Sequence, residues 1–170
     1  MIKVGIIGGA GYTSGELLRI LVNHPKVEID FVFSTSQAGK PLTAAHPDLI
    51  CETHLVFTDK INADVNVVFL CLGHGKSKAF LENNEFASHT RIIDLSNDFR
   101  LDNDANFNSN AFVYGLPELN KNRITTAKYI ANPGCFATAI QLALLPLASG
   151  SLLENDIHVN AVTGSTGAGV

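Results

Sequence analysis

The sequence predicts an α/β protein built on a doubly wound parallel sheet. Short apolar runs rich in β-branched residues alternate along the chain with longer segments of helical character, which is the pattern of successive βαβ units. The most continuous apolar run, at residues 65–72, is typical of a parallel strand that is covered on both faces. A glycine-rich turn at residues 8–11 follows the first strand-like run, where this fold class passes into its first helix.

The elements follow one another in the order that this fold class requires. Ile2–Ile7 is short, apolar and β-branched, and it ends at the glycine-rich turn. The next segment has its apolar residues at i, i+1, i+4 and i+5, on one face of a helix that Pro25 closes, because proline disfavours helix in the preceding residue. We expect helices at residues 13–22, around 77–86 and at 135–147. We expect strands at residues 2–7, 27–33, 65–72, 91–95, 128–131 and 157–163.

Two stretches have no clear period. Residues 34–64 are polar and rich in turn residues, so we expect loops and one short helix there. Residues 102–122 are rich in Asn and Asp and are predicted to be irregular. The strand–helix alternation is self-contained up to residue 150. We therefore predict a first domain at residues 1–150 and the start of a second at residues 151–170.

Composition narrows the functional class. The chain has 170 residues, of which 46% are apolar and 16% charged, and its 12 basic and 16 acidic residues give a net charge of −4. Such a chain buries a core rather than staying disordered. The basic residues are scattered, so we expect no nucleic-acid partner, and no apolar run has the length of a membrane span, about 18 residues. Residues 1–5 lead directly into a strand and the three cysteines form no disulfide pattern, which favours a cytoplasmic protein without a signal peptide.

The glycine-rich turn is a candidate dinucleotide site. Glycines let a pyrophosphate approach the backbone, and the start of the following helix presents free N–H groups to it. Ser14 stands where the third glycine of the G-x-G-x-x-G pattern would be, and the alternative is a turn that binds no ligand. The candidate binding residues of this segment are Gly8, Gly11, Tyr12, Thr13 and Ser14.

The end of the second predicted strand favours NADP over NAD. NAD enzymes usually carry an acidic residue there for the ribose hydroxyls, whereas this chain has Ser34, Thr35 and Ser36, with Lys40 close behind. Hydroxyls and a lysine suit a 2′-phosphate, although an ordinary turn is the alternative. Gly73 and His74 follow the third strand, at the edge where cofactors dock.

A cysteine follows a Pro-Gly turn at the start of a predicted helix. Helix N–H groups would stabilise the Cys135 thiolate and an oxyanion formed by its attack on a carbonyl group, so Cys135 is a candidate nucleophile. A buried cysteine that acts as a small apolar residue is the alternative, and it is the interpretation of Cys51 and Cys71. Two Cys-x2-His pairs have the spacing of half a zinc site, but Cys71 lies in a predicted core strand, so we expect no metal.

Six motifs follow one another along the chain: GGAGYTSGELLR, GHGKS, DLSNDFR, YGLPEL, NPGCFAT and TGSTGAG. On these motifs the chain resembles the N-terminal half of the N-acetyl-gamma-glutamyl-phosphate reductases, relatives of aspartate-semialdehyde dehydrogenase. The resemblance implies that Cys135 displaces phosphate from an acyl phosphate, and that NADPH reduces the resulting thioester to an aldehyde in arginine biosynthesis. It also implies that Arg100 holds anionic groups of this small-molecule substrate. An ion pair of Arg100 with Asp98 or Asp94 is the alternative.

The resemblance further implies a second, α+β domain with a histidine acid/base, most of the substrate pocket and a homo-oligomeric assembly. The chain ends soon after the first predicted strand of that domain, so we expect these residues to bind cofactor without forming a complete active site. Three alternatives remain open: an enzyme like aspartate-semialdehyde dehydrogenase, a reductase of a carrier-linked aminoadipyl phosphate, and a non-catalytic NADP-binding module.

Overall fold

A computed structural model describes residues 1–154 and 156–168 of the chain. Its strands are β1 (Ile2–Ile7), β2 (Val27–Phe33), β3 (Phe57–Thr58), β4 (Val67–Leu70), β5 (Arg91–Asp94), β6 (Asn106–Phe107), β7 (Asn110–Ala111), β8 (Val113–Tyr114) and β9 (Tyr129–Ala131). Its helices are α1 (Tyr12–Val22), α2 (Ser77–Asn83), α3 (Pro117–Thr126), α4 (Cys135–Ser149) and α5 (Ser165–Ala168). Short 3₁₀ helices lie at Leu42–Ala44 and Pro47–Leu49.

A seven-stranded parallel sheet in the order β3-β2-β1-β4-β5-β9-β8 organises the described residues. The chain first moves outward from β1 to β3 and then returns to the other side of β1. The strand order therefore reverses between β1 and β4, and the crevice at the carboxyl ends of these two strands is where open α/β sheets bind ligands. The predicted doubly wound fold is confirmed.

The core divides between the two faces of this sheet, because successive side chains of a strand point to opposite sides. On one face, Ile6 packs in a cluster with Leu18 and other residues of α1 and the 3₁₀ helices. On the other face, Ile7 packs in a cluster with Leu81 of α2 and with Phe99. Each fully buried Leu or Phe side chain stabilises the fold by roughly 1.5–3 kcal/mol, so both sides of β1 are anchored close to the crevice.

The loop-like stretches contain more structure than predicted. The connection at residues 34–64 includes β3, a short strand at the sheet edge, in addition to its two 3₁₀ helices. Residues 102–122 contain the β6–β7 hairpin, β8 and most of α3. Two-residue strands leave no alternating pattern to detect, and α3 is polar with no buried residue, so sequence periodicity predicted neither.

The strand predicted at residues 157–163 is wrong. The structure describes all of residues 157–163. They form no strand, and Val162 is 98% exposed. A β-strand needs a neighbour for its backbone N–H and C=O groups, and none of the described strands pairs with this segment. No helix in the described ranges is long and apolar enough to cross a membrane.

Candidate active site

The predicted site residues follow five different strands, and all of them lie along the carboxyl edge of the sheet. Gly8 follows β1, Ser34 follows β2 and Gly73 follows β4 at a distance of three residues. Arg100 lies in the loop after β5, and Cys135 begins α4 after β9. Parallel strands end at one edge, so the sheet brings together residues that are far apart in the sequence.

The glycine loop brings the end of β1 against the end of β4. Gly8 has φ +82° and a Cβ there would lie 2.5 Å from the carbonyl oxygen of Cys71, so only glycine fits without strain. Gly11 precedes α1, and no side chain caps the helix. The first N–H groups of α1 therefore have no intrahelical partner and are available to a ligand. Gly11, Tyr12 and Thr13 are exposed.

Ser14 differs from its neighbours in the glycine loop. It is fully buried and its hydroxyl donates to the carbonyl oxygen of Gly11 at 2.7 Å. The predicted cofactor contact of Ser14 is thus limited in this structure to its backbone, because the side chain closes the first turn of α1. Gly15 is buried beside it.

The loop after β2 presents part of the predicted phosphate-binding set. Ser34 is only 7% exposed, and its N–H donates to the carbonyl oxygen of Thr58 at 2.9 Å. Thr35, Ser36 and Lys40 are exposed, and the Lys40 ammonium donates to Gln37 at 3.1 Å. The accessible hydroxyls therefore belong to Thr35 and Ser36 and the accessible cation to Lys40, whereas Ser34 is buried at the start of the loop.

The loop after β4 is tied to the loop after β5. His74 is exposed, and its Nδ1 accepts the N–H of Asn97 at 3.1 Å. The Asp98 carboxylate accepts the N–H groups of Gly75 at 2.6 Å and Lys78 at 3.1 Å, at the start of α2. The exposed Gly73 and His74 thus lie at the crevice on a loop that is braced from the neighbouring strand.

A buried carboxyl group and a partly buried thiol lie under this edge. Burial raises the pKa of Asp94, although the Ser96 hydroxyl and N–H donate to its carboxylate at 2.7 and 3.2 Å. Burial, with a smaller contribution from Asp94, raises the pKa of the Cys71 thiol to about 12. The interpretation of Cys71 as an inert core residue agrees with this environment, whereas the same interpretation of Cys51 is wrong. Cys51 is exposed in a turn with φ +66°.

Arg100 clamps the turn that carries Cys135. Its Nε donates to the carbonyl oxygen of Asn132 at 2.8 Å and its Nη2 to that of Leu95 at 2.8 Å. Its Nη1 lies 2.9 Å from the point where a Cβ on Gly134 would be. Within the described ranges, Arg100 forms no ion pair with the carboxylates that sequence reasoning offered as the alternative. The guanidinium therefore joins the ends of two strands and leaves Nη1 beside the cysteine turn.

Cys135 is exposed at the first position of α4, a fifteen-residue helix preceded by Gly134. It opens onto a cavity of about 740 Å³. Polar side chains from three segments, the loop after β5, α3 and α4, line this cavity: Arg100, Asp102, Asn120, Arg123, Cys135 and Gln141. A thiol at a helix N-terminus beside two guanidinium groups is suited to attack on an anionic carbonyl compound.

Sequence reasoning missed four of these polar residues, and two of them, Arg123 and Gln141, bear on the chemistry of the cavity. Arg123 lies in α3, is exposed and makes no ion pair with another described residue. Gln141 lies on α4, and its Oε1 is buried without a hydrogen-bond partner in the part of the chain that the structure describes. Arg123 carries no sequence signal, because α3 was not predicted. The predicted helix of Cys135 offered only a weak signal for Gln141.

A second cavity, of about 500 Å³, lies beside the glycine loop and is lined by Gly11, Tyr12, Arg19, His46 and Asp48. It shares no lining residue with the cavity at Cys135. Across residues 1–154 and 156–168, no three His, Cys, Asp or Glu side chains are grouped so that they could hold a metal ion.

Comparisons with known proteins agree with this architecture. The family description "Semialdehyde dehydrogenase, NAD binding domain" matches residues 3–127, and "Semialdehyde dehydrogenase, dimerisation domain" matches residues 135–170. The chain carries a nicotinamide dinucleotide-binding domain.

Curated relatives are similar to this chain over nearly its whole length. It is 69% identical over 170 residues to the N-acetyl-gamma-glutamyl-phosphate reductase of Flavobacterium johnsoniae, covering 100% of this chain and 52% of the relative. It is 61% identical over 169 residues to that of Christiangramia forsetii, covering 99% and 51%. The chain thus spans about half the length of the curated relatives it matches.

Solved structures share the fold. Aspartate semialdehyde dehydrogenase with NADP from Candida albicans matches with a TM-score of 0.62 at 17% identity, over 90% of this chain and 48% of that one. Aspartate semialdehyde dehydrogenase II from Vibrio cholerae matches with a TM-score of 0.63 at 20% identity, over 88% and 43%.

Proposed function

The chain belongs to the semialdehyde dehydrogenase family, and we propose that it forms the cofactor-binding and nucleophile-bearing part of an acyl-phosphate reductase. The reaction is the NADPH-dependent reduction of N-acetyl-gamma-glutamyl phosphate to N-acetylglutamate semialdehyde, with release of phosphate, in arginine biosynthesis. The exposed Cys135 at the start of α4, in a cavity with two arginines, is the observation that carries this proposal. The sequence identity of 69% and 61%, over 100% and 99% of this chain, to two proteins named N-acetyl-gamma-glutamyl-phosphate reductase supports the proposal.

Cys135 acts as the nucleophile. Its sulfur forms a bond to the acyl carbon while the bond from that carbon to the phosphate oxygen breaks, which gives a thioester and inorganic phosphate. The first N–H groups of α4 have no intrahelical partner and no side-chain cap, so they are available to stabilise the negative charge that develops on the carbonyl oxygen. When bound, the nicotinamide cofactor supplies the hydride that reduces the thioester, and the Cys135 thiolate then leaves.

The two arginines of the cavity match the two anionic groups of this substrate. Arg100 offers Nη1, because its Nε and Nη2 already donate to the carbonyl oxygens of Asn132 and Leu95. Arg123 offers its whole guanidinium from α3. We assign the phosphate to Arg100, which is held beside Gly134, and the α-carboxylate to Arg123. Planar guanidinium groups suit both anions.

NADP is the proposed cofactor. The open start of α1 suits the pyrophosphate, which would contact Gly8, Gly11, Tyr12, Thr13 and the Ser14 backbone. The hydroxyls of Thr35 and Ser36, with the Lys40 ammonium, suit a 2′-phosphate; Ser34 supports their loop from a buried position. The exposed loop of Gly73 and His74 lies beside β1, where the nicotinamide end would dock.

The domain limits belong to the same proposal. We place the cofactor domain at residues 1–150, since α4 ends at Ser149, and the start of a catalytic and oligomerisation domain at residues 151–170. The acid/base histidine would come from the second domain, and the enzyme would be a homo-oligomer in the cytoplasm. The match to a dimerisation domain supports the assembly.

The test is the Cys135→Ser variant of the full-length protein. A hydroxyl is a much weaker nucleophile than a thiolate, so we expect kcat for the acyl phosphate to fall by about 10³-fold or more, with NADPH affinity unchanged. Cys51→Ser is the matched control, because Cys51 is also exposed but lies in a turn. Retention of a tenth of the activity by Cys135→Ser would refute the nucleophile and favour a non-catalytic nucleotide-binding module.

A further inference from the structure

A buried histidine supports the glycine loop from below. His46 is only 5% exposed, and its Nε2 lies 2.7 Å from the carbonyl oxygen of Gly9. The Gly9 carbonyl can only accept, so the Nε2 carries the hydrogen and donates it. The Gly9 N–H in turn donates to the carbonyl oxygen of Phe33 at 2.9 Å. Both polar groups of the Gly9 backbone are thus held by residues outside the loop.

The same histidine packs closely against a glycine that is one residue beyond the third position of the dinucleotide-binding pattern. A Cβ on Gly15 would lie 2.8 Å from Nδ1 and 3.0 Å from Cε1 of His46. In the usual dinucleotide fingerprint, the third glycine permits close packing of the helix on the sheet. Here the close approach occurs one residue later, at Gly15, and the partner is the imidazole ring.

The segment that carries His46 is itself fastened to α1. Asp48 accepts a hydrogen bond from Nε of Arg19, near the end of α1, at 2.6 Å. The Arg19 guanidinium lowers the pKa of the Asp48 carboxyl group, so this pair is ionised at neutral pH. His46 therefore approaches the glycine loop from the start of a 3₁₀ segment that the Arg19–Asp48 pair ties to α1.

We propose that His46 is a positioning residue for the dinucleotide: it orients the Gly9 peptide, and through it the N–H groups that face the cofactor phosphates. A loop that is already in its bound conformation loses less conformational freedom on binding, and the difference appears as affinity. The inference rests on the proposed binding of NADP. It adds that the segment at residues 46–48, which sequence reasoning left as part of a loop region, sets the strength of that binding.

The experiment compares His46→Gln and His46→Phe in the full-length protein. The Gln side chain can place an N–H near the position of Nε2, whereas Phe keeps the ring and removes the donor. We expect the Kd for NADPH to rise about tenfold in His46→Phe, the free energy of about one hydrogen bond, and to stay within about threefold of wild type in His46→Gln. The KM for the acyl phosphate should not change in either variant.

Gly15→Ala provides a second route if His46→Phe does not fold. The new methyl group displaces the ring while alanine favours the helix, so NADPH affinity should fall although α1 itself is not weakened. His24→Gln is the control, because His24 is exposed in the turn after α1. Equal NADPH affinity in wild type, His46→Phe and Gly15→Ala would overturn the inference. Failure of the wild type to bind any nicotinamide nucleotide would instead overturn the proposed function on which it rests.

Discussion

Two helices begin in the same way at the carboxyl edge of the sheet and then differ in burial. Each of α1 and α4 follows a glycine and presents its N-terminus to the crevice. The shorter α1 buries Leu18 and Leu21 against the sheet and the 3₁₀ helices. The longer α4 is almost wholly apolar in sequence but has no buried residue, and Leu142 is 42% exposed.

The hydrophobicity of a helix therefore predicts its tendency to be buried but not the identity of its partner. The partners of α1 are adjacent strands and a connection that all lie within the described residues. For α4 the described ranges provide no packing that fully buries any of its residues. The same apolar surface that stabilises one helix is therefore available for association at the other.

Truncating a leucine in α1 should destabilise the protein far more than truncating one in α4. In the 170-residue chain, Leu18→Ala should lower the free energy of unfolding by about 2–5 kcal/mol, because it leaves a cavity in a packed cluster. Leu142→Ala removes the same atoms from a partly exposed site and should cost less than about 1 kcal/mol. Urea unfolding followed by circular dichroism measures both values.

The full-length protein provides the control for this pair. If the remaining residues cover α4, the cost of Leu142→Ala should increase there, while the cost of Leu18→Ala should stay the same. An equal and large cost of both substitutions in the 170-residue chain would show that α4 is already packed, and the comparison would fail.

Thiol reactivity distinguishes the start of α4 from the interior of the sheet. At pH 8, iodoacetamide should alkylate Cys135 about tenfold faster than Cys51, because both thiols are exposed but only Cys135 begins a long helix. Cys71 should react at least about a hundredfold more slowly than either, since its pKa of about 12 leaves almost no thiolate. Mass spectrometry of tryptic peptides measures the three rates. Comparable rates for Cys135 and Cys51 would mean that α4 contributes nothing to the nucleophile.

The same pair of helices shows how far sequence reasoning extends. The start of each helix and its glycine were predictable, because strand, turn and helix lie next to one another in the sequence. The residues that reach each helix start from distant parts of the chain were not predictable. His46 reaches the glycine loop from 37 residues away, and Arg123 reaches the cysteine cavity from a polar helix without an apolar period. Such contacts are set by the order of strands in the sheet, which periodicity does not contain.

Cofactor preference tests the site at the start of α1. Ser36→Asp introduces a carboxylate on an exposed residue of the loop after β2 and should lower the affinity for NADPH about tenfold while leaving NADH affinity unchanged or higher. Lys40→Ala should act in the same direction, about fivefold, because it removes one cation at a partly solvated phosphate. Lys26→Ala is the matched control, since Lys26 is also exposed but lies before β2 at the opposite edge. Fluorescence titration measures the affinities of wild type and the three variants for NADPH and for NADH, and equal losses for both cofactors would refute the phosphate assignment.

The smallest effect concerns Asp94, at the end of β5 between the two helix starts. Burial raises its pKa in the folded protein above the unfolded value of about 3.9, so folding disfavours its charged form. The penalty is fully present at pH values above the raised pKa, decreases as the pH falls toward 3.9, and is absent below it. Asp94→Asn removes the charge and keeps one acceptor oxygen for Ser96, whose hydroxyl can accept from the new amide instead of donating. The variant should therefore be more stable than wild type at pH 8 by about 1 kcal/mol or less. The advantage should vanish near pH 3.5 in matched urea titrations. A stability difference that does not change between these pH values would mean that the Asp94 carboxylate is fully compensated by Ser96, and that the edge joining α1 to α4 carries no buried charge penalty.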